Sequence, residues 1–185
     1  MQSVRANDLR AQAVLEFWFR GGETRKQWFR KNAAFDAEIR TRFLALHEEA
    51  ASGALAHWRN SSGECLALIL ALDQFPRNLF RRDARAYASD ALALEAARHA
   101  VDAGFDLAML EVERMFVYLP FAHSENLADQ ERSLALFTGN TNYAWARRHA
   151  EIVRRFGRFP HRNAVLGRQS TPAEIEFLKQ PGSSF

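Results

Sequence analysis

Apolar residues recur along this chain at intervals of three and four, the spacing that lines one face of an α-helix. The clearest stripe is Phe35, Ile39, Phe43, Leu46 and Ala50, with Asp36/Arg40 and Glu38/Arg42 as i,i+4 pairs on its other faces. Gly53 suits a left-handed cap at the end of that helix. Ahead of it, Asn7 or Asp8 caps a first helix carrying Val14, Leu15, Phe17 and Trp18. Gly21-Gly22 ends that helix, and Thr24 starts a short one bearing Trp28 and Phe29. Leu55 to Trp58 reads as one short turn or helix.

The run Cys65-Leu66-Ala67-Leu68-Ile69-Leu70-Ala71-Leu72 is apolar all round, which predicts a helix buried on most sides. Its Leu and Ala content favours helix over strand. It is expected to end near Gln74, because Pro76 disfavours the helical conformation at Phe75. Tyr87, Ala91, Leu94, Ala97 and Val101 mark a further helix closed by Gly104, and Val112, Met115, Phe116 and Leu119 another, stopped or kinked at Pro120. Ser124 caps a helix carrying Leu127, Leu134 and Phe137, with Gln130 turned inward. Trp145, His149, Ile152 and Phe156 line the next, ended by Gly157. Thr171-Pro172-Ala173-Glu174 fits a capping box that opens a last helix with Ile175 and Leu178. Nothing alternates over a strand's length. The expectation is an all-α chain of eight or nine helices in a single domain over residues 1–185.

Composition narrows the class. A charged fraction of 25% with 15 Phe and 4 Trp excludes a disordered chain and allows a substantial core. Of 25 basic residues only Lys26, Lys31 and Lys179 are lysine, so the pI is about 9.4 at a net charge of only +3. One cysteine, Cys65, excludes an intrachain disulfide and fits a reducing cytoplasm. No apolar run approaches the roughly 20 residues that span a bilayer. The polar stretch Met1 to Arg10 lacks signal-peptide order. No phosphate loop, dinucleotide fingerprint, zinc motif or calcium loop is present, so neither a metal nor a cofactor is expected.

Three stretches combine rigid Phe-Pro or Pro-Phe chemistry with polar groups: Asp73-Gln74-Phe75-Pro76-Arg77-Asn78, Tyr118-Leu119-Pro120-Phe121-Ala122-His123-Ser124-Glu125, and Gly157-Arg158-Phe159-Pro160-His161-Arg162-Asn163. Together with Val14-Leu15-Glu16-Phe17-Trp18-Phe19 and Leu166-Gly167-Arg168-Gln169-Ser170-Thr171-Pro172, they resemble the bacterial family called domain of unknown function 924. The resemblance covers nearly the whole chain. It implies an all-helical fold of the tetratricopeptide-like superfamily and brings no established activity.

The same stretches hold the candidate chemistry. Asp73 sits at a helix C-terminus, where the dipole opposes a carboxylate, so a cation is expected beside it, from Arg77, Arg158 or Arg162. His123 and His161 are the candidate acid–base groups, with Glu125 placed to orient His123 and Asp73 as a further carboxylate. Ser124 reads as a cap, and His149, on an apolar stripe, as a core histidine. His47, His57 and His99 have no motif around them and are expected on the surface. Arg77, Asn78, Tyr118, Arg158, Arg162 and Asn163 are the candidate ligand contacts. Seven arginines against Glu151 between Arg147 and Arg168 would suit an anion. The adjacent pairs Arg147/Arg148 and Arg154/Arg155 read as a solvated helix face, so nucleic acid is disfavoured as a partner. The expected function is binding of a small anionic molecule or a peptide end where the three stretches meet. A cofactor-free, hydrolase-like enzyme using His123 and His161 is the alternative, and an interaction scaffold a third.

Overall fold

A computed structural model of the chain describes residues 3–20 and 26–184. The expected helix stop at Gly21-Gly22 and the start at Thr24 lie outside these residues. Among the described residues every regular element is helical. The chain forms two compact units, Met1–Arg81 with Arg85–Pro120, and Arg82–Ala84 with Phe121–Phe185.

The first unit opens with α1 (Leu9–Trp18), capped by the Asp8 carboxylate on the Arg10 and Ala11 N–H groups. Helix α2 (Ala33–Ala51), capped by Asn32, buries Phe35, Ile39, Phe43, Leu46 and Ala50, the whole predicted stripe. These rings meet those of α1: Phe17 stacks on Phe35 at 5.3 Å between centroids and meets Phe43 at 5.1 Å, and Trp18 lies 5.7 Å from Phe35. Helix α3 (Ser62–Ile69) is buried almost throughout and packs against α1 and against the helix over Asp90–Asp102.

The expected break before Pro76 does not occur. From α3 the chain passes through one π-helical turn, Leu70–Gln74, into α4 (Phe75–Leu79), and Phe75 is helical at φ −58°, ψ −42°. Proline has no N–H and its ring crowds the carbonyl four residues back. The wider turn accommodates the ring. Two freed carbonyls take side-chain donors instead: His47 Nδ1 lies 2.9 Å from Ala71 O, and the Ser89 hydroxyl donates to Leu72 O at 2.6 Å. His47 is therefore buried, not on the surface as expected.

Helix α5 (Asp90–Asp102) turns Ala93, Ala96, Ala97 and Ala100 inward, so of the predicted Tyr87–Ala91–Leu94–Ala97–Val101 face only Ala97 is buried and the register was otherwise shifted. A face of methyl groups lets α5 approach α3 closely. Helix α6 (Glu111–His123) continues three residues past Pro120, and Phe121 to His123 belong to the second unit.

In the second unit α7 (Leu127–Leu136) packs on α8 (Tyr143–Phe156). The cap of α7 is Asn126 rather than Ser124, and its buried face is polar: Asp129, Gln130 and Ser133. Leu127 is exposed, against expectation. The reason is the end of α6, whose last carbonyls need donors. The Gln130 amide supplies them, at 2.8 Å to Ala122 O and 2.6 Å to Ser124 O. Gly157, at φ +68°, ends α8 in the left-handed conformation, as predicted. After a short 3-10 turn at Pro160–Arg162 comes α9 (Pro172–Leu178), opened by the predicted Thr171/Glu174 capping box.

Candidate functional site

In the first unit the polar side chains of the Asp73 stretch are bound to one another and to their neighbours. Asp73 is fully buried and accepts from the Gln74 amide at 2.5 Å. Of its three candidate cations, Arg77 lies beside it at 3.3 Å. The same guanidinium forks onto Asp90 at 3.0 and 3.1 Å, donates to the Asp73 carbonyl, and lies over the Tyr87 ring. Burial would lower the Arg77 pKa, but Asp73 and Asp90 outweigh it and raise it. Asn78 donates to Asp36 at 2.8 Å, and Asp36 also receives the fork of Arg81. The Tyr118 hydroxyl donates to buried Asp106 at 2.6 Å; burial, reinforced by Asp106, pushes the phenol pKa well up.

The second unit gathers the histidines. His149 is fully buried on α8, and its Nδ1 lies 2.9 Å from Trp145 O. A carbonyl only accepts, so Nδ1 carries the proton. The Trp145 and His149 rings lie 3.8 Å apart, a consequence of their i,i+4 spacing on one helix face. His123, at the end of α6, meets Trp145 edge-on at 6.3 Å. On the other side Phe159 lies 5.7 Å from His149, and His161 5.8 Å from Phe159. The rings thus form a ladder, His123–Trp145–His149–Phe159–His161. The guanidinium of Arg162, 6% exposed, lies over Phe159 at 4.6 Å.

Burial drives the His149 pKa down to about 3, and the neighbouring His123, His161 and Arg162 act in the same direction. His149 is therefore a neutral imidazole at physiological pH. The reading of a core histidine stands, yet it sits at the centre of the cluster. The three imidazoles are spaced along the ladder, and among the described residues no trio of His, Cys, Asp or Glu is grouped to hold a metal.

Around this ladder the acids are held by cations. Glu125 accepts the Phe159 N–H at 2.7 Å and the Arg168 fork at 2.6 and 3.0 Å. Burial raises its pKa, but Arg168 and the Phe159 N–H outweigh that and hold the carboxyl below its usual range. Glu125 thus anchors the Phe159 loop. Arg158 forks onto Glu174 at 2.7 and 2.9 Å, and this pairing, with the Thr171 N–H, drives Glu174 down to about 2. Asn163 is buried and donates to Ser170 Oγ at 3.0 Å. Sequence reasoning missed Arg168 and Trp145. The i,i+4 pairing of Trp145 with His149 was the available signal for the latter.

A separate recess of about 260 Å³ in the first unit, lined by Val4, Leu15, Phe19 and neighbouring polar groups, contains none of the candidate residues.

The fold and the cluster define an all-helical protein with an imidazole–guanidinium ladder built on its α8 helix. A family model described as bacterial protein of unknown function (DUF924) matches residues 14–182, and the chain belongs to that family. It is similar, at 43% identity and a TM-score of 0.87, to the structure of a protein of unknown function from Agrobacterium tumefaciens; the match covers 91% of this chain and 96% of that one. No curated protein matches the chain. Among the described residues no helix is long and apolar enough to cross a membrane.

Proposed function

We propose that the protein binds a small anionic molecule, or the carboxylate end of a peptide, at the cluster of His123, His161 and Arg162. The observation that carries this reading is the placement of Arg162. A guanidinium removed from water on the face of Phe159 shares one aromatic ladder with two half-buried imidazoles. A cation in a low-dielectric setting attracts an anion more strongly than one in water, and guanidinium matches carboxylate or phosphate in two places. Trp145, only partly buried, gives such a ligand an apolar wall. Arg77 and Arg158, each forked onto carboxylates, serve the fold.

The test is a thermal-shift and calorimetric series with sulfate, phosphate, acetate and a short peptide with free or amidated C-terminus. At least one anion is expected to raise the melting temperature in a saturable way, with the effect lost in Arg162→Gln and reduced in His161→Gln. Equal stabilisation of the wild type and both variants by every anion would reject the reading.

A further inference from the structure

The recess in the first unit carries a charge pattern of its own. Its floor is one face of α1: Gln12, Leu15 and Glu16 stand at i, i+3 and i+4, and Phe19 and Arg20 carry that face into the turn after Trp18. Leu15 is buried and Phe19 half-buried, so the middle of the floor is apolar. Glu16 and Arg20, both exposed, put opposite charges beside it.

Ser3 and Val4 also line the recess, and the segment that carries them is fastened along its length. Glu113, 1% exposed, accepts the Ser3 hydroxyl and the Val4 N–H. Gln12 Oε1 accepts the Ala6 N–H at 3.0 Å, and Glu64 accepts the Asn7 and Asp8 N–H groups at 2.6 and 3.2 Å. Gly63 lies directly against the Arg5 carbonyl, where any side chain would collide. A wall tied down in this way is in place before a ligand arrives, which reduces the ordering that binding costs. Gln12 also sets the nearer charge, because its Nε2 donates to Glu16 Oε1 at 2.9 Å. Among the described residues Glu16 has no cationic partner, and Arg20 makes neither an ion pair nor a hydrogen bond.

A lone carboxylate entering the recess would meet Glu16 as well as Arg20, and a lone amine Arg20 as well as Glu16. A ligand that carries an ammonium and a carboxylate on neighbouring atoms satisfies both charges at once. We propose that the recess binds a free amino acid with an apolar side chain, the carboxylate on Arg20, the ammonium on Glu16 and the side chain against Val4, Leu15 and Phe19. At roughly 30 Å³ per water-sized group, about 260 Å³ holds about nine such groups, the size of leucine. A peptide end brings only one of the two charges and leaves the other opposed. This site is separate from the ladder and does not rest on the anion-binding reading.

Saturation-transfer NMR and calorimetry with L-leucine, and with analogues that each lack one feature, test the proposal. 4-Methylpentanoate lacks the ammonium, 3-methylbutylamine the carboxylate, and glycine the side chain. An exposed ion pair contributes a factor of up to about five, so leucine is expected to bind about fivefold more tightly than either singly charged analogue. It is expected to bind about tenfold more tightly than glycine, which has no side chain to bury. Arg20→Gln is expected to weaken leucine and 4-methylpentanoate about fivefold and to leave 3-methylbutylamine no weaker. Glu16→Gln is expected to weaken leucine and 3-methylbutylamine by the same factor and to leave 4-methylpentanoate no weaker. Arg154→Gln, exposed on α8, is expected to change none of them. Should either recess variant fold poorly, the wild-type series alone decides. Leucine binding no more tightly than the singly charged analogues, unchanged leucine affinity in both recess variants, or no saturable leucine signal overturns the proposal.

Discussion

Replacing Gln130 tests how the end of α6 is held, and with it the position of His123. Gln130 is 1% exposed, and its amide nitrogen donates to Ala122 O and Ser124 O at 2.8 and 2.6 Å, with Phe121 O further away at 3.4 Å. Methionine has nearly the same length and no donor. In Gln130→Met the buried Ala122 carbonyl loses its side-chain partner at about 1–3 kcal/mol, and the part-buried Ser124 carbonyl loses its own at somewhat less. The substitution also removes the Gln130 Oε1, a buried acceptor with no hydrogen bond among the described residues, which offsets about 1 kcal/mol. The net expectation is a loss of about 2 kcal/mol. Gln130→Glu is expected to cost more, because a carboxylate would face the same carbonyl oxygens. Urea unfolding followed by circular dichroism, with the slope checked for constancy, measures both. A loss below about 0.5 kcal/mol in Gln130→Met, or a smaller loss for Glu than for Met, would refute the claim that this amide holds the helix end.

Three further outcomes follow from named contacts. Arg77→Met removes the cation between Asp73 and Asp90 and is expected to cost about 3 kcal/mol in urea unfolding, with Arg77→Lys recovering part of it. Glu174 has its pKa lowered from 4.5 to about 2, so the unfolded chain binds its proton first; the stabilisation is full above about pH 4.5 and is lost as pH falls towards 2. Allowing for the part-exposed Arg158, it amounts to about 1–2 kcal/mol, and Glu174→Gln is expected to flatten that part of the acid unfolding profile. Of the 3 tyrosines, Tyr118 is expected to ionise only on alkaline unfolding, read by ultraviolet difference absorbance; its titration in the folded protein would show that the bond to Asp106 does not persist.

What was legible in the sequence was local. The α2 stripe, the Thr171/Glu174 box and the Gly157 stop are decided within a few residues of themselves and each appears as read, and the cap read at Asn7 or Asp8 falls on Asp8. Pro76 was misjudged because its cost is met from afar, by His47 on α2 and by Ser89. Helix α5 was mis-registered because the Cys65–Ile69 part of its neighbour α3 is apolar on every face and gives no clue to how closely it is approached. Helix α7 turned a polar face inward because the carbonyls at the end of α6 required donors, a demand invisible in α7 itself. The candidate residues divide in the same way. His123, His161 and Arg162 were singled out by their Phe-Pro context and fall on one ladder. The His149–Phe159 step that joins them depends on packing between α8 and the Phe159 loop, which no spacing encodes.

The central claim is tested most directly by following the six histidines in proton–carbon NMR while sulfate is added. The ring resonances of His123 and His161 are expected to move saturably and together, His149 to move little, and the exposed His57 and His99 to stay where they are. Uniform small shifts of all the exposed rings, or no shift at His123 and His161, would contradict an anion site on the ladder.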